Sequence, residues 1–125
     1  LINPQKKVLA ISGDGGFMMN SQEYETALRE GTPIVTLIFS DASYGLIKWK
    51  QIDHFGKHCY VDFTNPDFMK YAESMHAKGY RVEKAEDLIP ILEDAFRQKV
   101  PCIIDCPVDY SENTKLSEYL QEKFE

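Results

Sequence analysis

The sequence predicts an α/β domain, a parallel sheet with flanking helices. Three observations carry that prediction. The run Val8-Leu9-Ala10-Ile11-Ser12 is followed by Gly13-Asp14-Gly15-Gly16, and the run Ile34-Val35-Thr36-Leu37-Ile38-Phe39-Ser40 is followed by Asp41. Short apolar runs rich in Val and Ile are the pattern of buried parallel strands. The stretch between them reads as one amphipathic helix, which makes a strand–helix–strand unit whose strands run in the same direction. Both aspartates then emerge at the carboxyl edge of one sheet, where open α/β folds bind ligands.

The elements follow in order. A polar lead-in over 1–7 precedes a strand over 8–12. After the glycine turn, Asn20 is placed to cap a helix running to Glu30, with Glu23 at the capping-box position and Tyr24, Ala27 and Leu28 on its apolar face. Gly31 stops that helix and Pro33 prevents its continuation. A second strand spans 34–40, followed by a short apolar turn or helix over 46–52 and a loop over 53–64. Asn65 is the expected cap of the next helix, with Pro66 at its first position and Gly79 at its end. A short strand over 80–83, a helix over 85–98 with Pro90 near its first turns, and a strand over 102–106 complete the alternation. A charged amphipathic helix over 115–124 closes the chain. Four strands are few for a doubly wound domain, so the 125 residues are expected to be a single partial domain of a larger protein, with earlier strands before Leu1.

Composition narrows the function classes. An apolar share of 43% supports a packed core, and a net charge of −6 argues against nucleic acid. No apolar stretch is long enough to span a bilayer, and no basic-then-apolar leader opens the chain, so the expected location is cytoplasmic. The three cysteines, Cys59, Cys102 and Cys106, fit reduced thiols, and the latter two read as small buried hydrophobes of the last strand.

The chemistry concentrates at the sheet edge. Glycines at 13, 15 and 16 let backbone N–H groups approach an anion, and the helix expected from Asn20 can add its positive end. An aspartate inside that turn would repel a phosphate unless a divalent cation lay between them. Mg²⁺ takes a few carboxylates together with substrate phosphates, so Asp14 and Asp41 are the candidate metal ligands, with a carbonyl from the turn after Asp41 as a third. Gly-Asp-Gly by itself is common in turns, and Asp41 by itself is an ordinary strand-end residue. Their shared placement at two strand ends is what singles them out.

The segment from Gly13-Asp14-Gly15 to Asp41-Ala42-Ser43-Tyr44-Gly45 resembles the cofactor motif of thiamine diphosphate enzymes, which begins with Gly-Asp-Gly and ends in an Asn-containing turn one strand–helix–strand unit later. The likeness extends through Ser12-Gly13-Asp14-Gly15-Gly16-Phe17, Glu23-Tyr24-Glu25-Thr26-Ala27 and Thr32-Pro33-Ile34-Val35, which fit the pyruvate-using branch. Tyr44-Gly45-Leu46-Ile47-Lys48-Trp49-Lys50-Gln51 and Pro107-Val108-Asp109-Tyr110-Ser111-Glu112-Asn113 look most like the catabolic, FAD-independent acetolactate synthases. The resemblance implies a Rossmann-like three-layer domain. It also implies Asp14 as first metal ligand, Asp41 at a position where most of the superfamily has Asn, and the Ser43 carbonyl as third. It implies a diphosphate lined by the backbone of Gly15, Gly16, Tyr44 and Gly45, with Gly13 shaping the turn. The implied cofactors are thiamine diphosphate and Mg²⁺, without FAD. The implied reaction decarboxylates pyruvate and joins it to a second pyruvate, giving 2-acetolactate and CO2. The family's activating glutamate lies on another domain of a partner subunit, so no catalytic residue is expected here, the isolated chain is expected to be inactive, and a homo-oligomer is implied. A pyruvate oxidase or decarboxylase, or a non-catalytic Mg²⁺-binding flavodoxin-like module, are the alternatives.

Other residues carry weaker signals. His54 and His58 fall in the expected loop after the cofactor turn, where a substrate role competes with simple solvation. His76 falls at a helix end, where a dipole contact is the expectation. Trp49, with Leu46 and Ile47, suits a substrate cover, or packing in the core or between subunits.

Overall fold

The computed structural model describes residues 6–111. The expected tail helix lies outside the described residues. Four strands, β1 (Leu9–Gly13), β2 (Val35–Ser40), β3 (Lys78–Arg81) and β4 (Cys102–Pro107), form one sheet in the order β1-β2-β4-β3, and every pairing is parallel. Strands β2 and β4 lie in the middle, in register from Val35 opposite Cys102 to Ser40 opposite Pro107. They are the strands whose sequence is almost continuously apolar, because both of their faces are covered.

Alternation along these strands supplies two cores. Ile38 and Ile103 point to one face, where they meet Phe17, Tyr24, Phe68, Ala72 and Ala77. Leu37, Cys102, Ile104 and Cys106 point to the other, where Val82, Ala95 and the half-buried Leu88, Ile91 and Leu92 cover them. Helices α1 (Asp14–Met19), α2 (Glu23–Arg29) and α4 (Phe68–Ser74) supply the first layer, and α5 (Leu88–Ala95) supplies the opposite one. Phe17 anchors α1: its ring meets Tyr24, Phe68 and Tyr71 edge-on with centroids 5.8, 5.7 and 6.1 Å away. Burying such a ring contributes about 1.5–3 kcal/mol, and edge-on pairs add about 0.5–1.5 kcal/mol each. The Tyr24 hydroxyl donates to the Cys102 carbonyl at 3.0 Å, which ties α2 to β4.

Several local expectations are corrected. The segment between β1 and β2 is two helices, and the glycines that follow Gly13 lie in the first turn of α1 rather than in a loop. Phe17 explains this, since its place in the core overrides the low helix propensity of two glycines. Asn20 caps nothing with its side chain, and α2 starts at Glu23 without a side-chain cap. The first helix of the sheet edge therefore begins at Asp14, not near Asn20. Helix α3 (Gly45–Phe55) extends into the expected loop and carries His54. The cap of α4 is Asp67, which accepts from the N–H groups of Met69 and Lys70, not Asn65. Gly79 does not end a helix. It sits within β3, where an added Cβ would lie 2.6 Å from Met69 Cα, so its role is close approach of β3 to α4. His76, beyond α4, has φ 53° and donates its N–H to the Glu73 carbonyl. The expected helix over 85–98 is a 3₁₀ turn at Ala85–Asp87 followed by α5. Cys102 and Cys106 are buried, Cys59 is exposed, and all three are free thiols.

Candidate functional site

The carboxyl ends of β1 and β2 open onto a cleft of about 1090 Å³, and all eight residues singled out by sequence line it: Gly13, Asp14, Gly15, Gly16, Asp41, Ser43, Tyr44 and Gly45. Parallel pairing places Gly13 opposite Phe39, so the residues that follow each strand emerge at the same edge. Leu46, Ile47, Trp49 and Ile52 of α3 form an apolar wall, and Val108 to Ser111 close another side. His54 and His58 are not among the lining residues. His54 meets the Phe55 ring edge-on at 4.7 Å, and His58 Nδ1 lies 3.5 Å from Asp62 Oδ2.

Asp14 is the organising group. It is 1% exposed, yet its carboxylate is hydrogen-bonded by four N–H groups. Oδ1 accepts from Gly15 N at 2.8 Å. Oδ2 accepts from Asp41 N at 3.1 Å, Ala42 N at 2.7 Å and Asn65 Nδ2 at 2.6 Å. Charge-assisted bonds of this kind make a buried carboxylate tolerable. They also stitch the start of α1 to the turn after β2.

That turn is held from two sides. The Asp41 carboxylate accepts from Ser43 N at 3.2 Å and Ser43 Oγ at 3.1 Å. Ser43 forms an antiparallel bridge with Asp62, whose bonds run from Tyr44 N to the Val61 carbonyl (2.8 Å) and from Phe63 N to the Ala42 carbonyl (3.0 Å). The bridge is thus made by the neighbours of Ser43, and neither bond uses the Ser43 carbonyl. Ala42 has φ 56°, a left-handed conformation that costs a non-glycine residue about 1–2 kcal/mol. The Asp14 and Phe63 bonds on either side of it hold it there.

Gly15 is where a side chain is excluded. A Cβ there would lie 2.7 Å from Tyr44 Cε1 and 3.4 Å from Phe63 Cζ. The Tyr44 ring rests on Phe63 with centroids 4.9 Å apart. At Gly45 an added Cβ would make an ordinary 3.5 Å contact with Asp41 Oδ2, so space alone does not require glycine there.

Asn65 is the site residue that the sequence did not reveal. Its amide nitrogen must face Asp14, because the flipped amide would set two acceptors 2.6 Å apart. This leaves Asn65 Oδ1 buried without a hydrogen-bond partner among the described residues. An orphaned acceptor of that kind costs about 1–3 kcal/mol. The cap-like Asn65-Pro66 pair masked the role, and no local signal links positions 51 residues apart.

On the far side of the turn, Asp105 of β4 accepts from Ser40 Oγ at 2.5 Å and pairs with Arg81. It fastens the ends of β2 and β3 to β4. Among the described residues, no group of three or more His, Cys, Asp or Glu converges as a metal site. A cation here would depend on two carboxylates completed by a backbone oxygen.

Residues 1–106 match the family described as thiamine pyrophosphate enzyme, C-terminal TPP binding domain. The chain belongs to this family. Its relatives include the acetolactate synthase of Bacillus subtilis (strain 168), 42% identical over 125 residues, covering 99% of this chain and 22% of that protein. The catabolic acetolactate synthase of Raoultella terrigena is 40% identical over 116 residues, covering 93% of this chain and 21% of the relative. The chain therefore spans about a fifth of the length of these curated relatives. A solved structure, the Rhodococcus jostii RHA1 thiamine diphosphate-dependent 4-hydroxybenzoylformate decarboxylase, superposes with a TM-score of 0.80 at 24% identity, over 88% of this chain and 21% of that one. At that identity the likeness speaks for the fold. Among the described residues, no helix is long and apolar enough to cross a membrane.

Proposed function

We propose that this chain is one partial domain of an acetolactate synthase and holds the Mg²⁺-diphosphate end of thiamine diphosphate. The observation that carries the reading is the buried Asp14 carboxylate, fastened to the Asp41–Ala42 backbone in a cleft lined by all the nominated residues. The donor set suits a hard cation. Asp14 Oδ1 has accepted one bond, Asp41 supplies a second carboxylate, and the Ser43 carbonyl is outside the bridge that holds its neighbours. Asp14, Asp41 and Ser43 would hold Mg²⁺. The backbone of Gly15, Gly16, Tyr44 and Gly45 would line the diphosphate, and Gly13 shapes the junction of β1 with α1. When bound, thiamine diphosphate supplies an electron sink for decarboxylation of a 2-keto acid.

The chain's own contribution is binding, orientation and exclusion of water by the apolar wall of α3. None of its residues is assigned a proton transfer, and the activating glutamate is placed on another domain. The proposed substrate is pyruvate, without FAD, in a cytoplasmic homo-oligomer that binds neither nucleic acid nor membrane. Exposed Leu46, Ile47, Ile52 and Phe55 on α3 support subunit contact, since apolar surface of this extent is suited to a partner.

Product analysis of the intact enzyme with pyruvate, Mg²⁺ and thiamine diphosphate tests the reading. Acetolactate is the expected product. Acetaldehyde or acetyl phosphate would assign the chain to a decarboxylase or oxidase instead. Calorimetry in which Mg²⁺ binding ignores thiamine diphosphate would point to the non-catalytic module.

A further inference from the structure

We propose that Asn65 is a positioning residue of the cation site: it occupies Asp14 Oδ2 so that Oδ1 is the oxygen left to coordinate the metal. The inference rests on the reading of the cleft given above and assigns a task to a residue outside the motif.

A carboxylate oxygen offers about two lone-pair directions. Asp14 Oδ2 already accepts from Asp41 N, Ala42 N and Asn65 Nδ2, at 3.1, 2.7 and 2.6 Å. That oxygen is saturated. Among the described residues, Oδ1 accepts only the Gly15 N–H, at 2.8 Å, and keeps a lone pair. The two backbone donors come from the turn that carries Asp41. Asn65 comes from the other side, out of the segment between α3 and α4. The carboxylate is thus gripped at Oδ2, which fixes the direction in which Oδ1 points. Partners of this kind orient metal ligands and tune their affinity.

Two further observations separate Asn65 from an ordinary loop residue. The helix start beside it is capped by Asp67, so Asn65 is not needed for that purpose. Its Oδ1 is buried without a partner among the described residues, so the amide is not placed there to satisfy itself. What it does make is the shortest of the four bonds to Asp14.

The test uses the full-length protein containing this chain, with saturating thiamine diphosphate and Mn²⁺ as the probe. Mn²⁺ affinity and the electron paramagnetic resonance spectrum of the bound ion are compared for wild type, Asp14→Asn, Asn65→Leu and Asn65→Ala, alongside melting curves without metal or cofactor. Asn65→Leu keeps the volume and removes the donor. The expected result is a Mn²⁺ dissociation constant raised by about 10–100-fold, with an altered spectrum, while both Asn65 variants remain folded. Wild-type affinity and spectrum in Asn65→Leu overturn the proposal. So does loss of folding in both Asn65 variants at temperatures where wild type is native, because the role is then structural. A wild-type protein that holds no Mn²⁺, or an Asp14→Asn variant that holds it unchanged, instead removes the reading of the cleft and the inference with it.

Discussion

Replacing Gly15 by alanine separates the fold from the cleft. The added Cβ would sit 2.7 Å from Tyr44 Cε1 and 2.9 Å from Tyr44 Cδ1. Carbon atoms prefer about 3.5–4.0 Å, so the ring must withdraw by about 1 Å. It cannot retreat past Phe63, whose ring lies against it at 4.9 Å. It can turn toward the open cleft, since Tyr44 is 38% exposed. Overpacking costs about 1–3 kcal/mol, and removing a glycine from a helix returns about 0.8–1.0 kcal/mol. The net loss of stability in the cofactor-free protein is therefore about 0–2 kcal/mol. The cleft suffers more, because the displaced Tyr44 ring moves into the space that a bound cofactor would need. We expect thiamine diphosphate affinity at saturating Mg²⁺, measured calorimetrically, to fall about 10–100-fold in Gly15→Ala, the overpacking cost being met when the ligand blocks the ring's retreat. Adding Tyr44→Ala should restore part of it, giving a measurable coupling between the two sites. Unchanged affinity in Gly15→Ala, or strictly additive effects in the double variant, would refute the reasoning.

Four other outcomes are expected. Gly79→Ala pushes its Cβ against Met69 Cα (2.6 Å) and carbonyl (3.0 Å), atoms that cannot rotate away, so the urea midpoint should drop by the equivalent of about 1–3 kcal/mol with no effect specific to cofactor. Asp105→Asn weakens the hold on Ser40 and Arg81 at the ends of three strands and should cost about 1.5–3 kcal/mol by the same measurement. Burial raises the Cys102 thiol from its ordinary value near 9 to about 11. The folded state therefore keeps that proton longer than the unfolded chain does, so the contribution of Cys102 to stability is complete below pH 9 and is lost as pH rises toward 11. Denaturation curves across that range check the sign. Iodoacetamide at pH 8 should label Cys59 in the native protein and reach Cys102 and Cys106 only after unfolding.

The sequence was most legible where burial is two-sided. Strands β2 and β4 announce themselves as apolar runs because helices cover both faces, and the two aspartates follow from counting past the strand ends. Legibility failed where a residue answers to a distant partner. Gly79 reads locally as a helix stop, but the demand on it comes from Met69 packing against β3. Asn65 reads locally as a cap, but its amide is drawn to a buried carboxylate, and the neighbouring Asp67 accepts the helix N–H groups instead. The end of α3 reads as loop because Asp53 and His54 interrupt the apolar positions of its earlier turns and no core contact holds them. The eight nominated residues share one cleft because a strand–helix–strand unit admits few geometries. The support that residues 61–63 give the turn after β2 depends on backbone pairing, which leaves no pattern in side-chain type.

Strand β1 sits at the margin of the sheet, with Ile11 61% exposed and Leu9 partly uncovered. Its outward backbone groups pair with no other strand among the described residues. A strand of this kind is a template for another chain laid alongside it. The 125-residue chain on its own should accordingly meet stacking of copies through β1 before it meets unfolding, and a lysine in place of Ile11 is the change that would keep such copies apart.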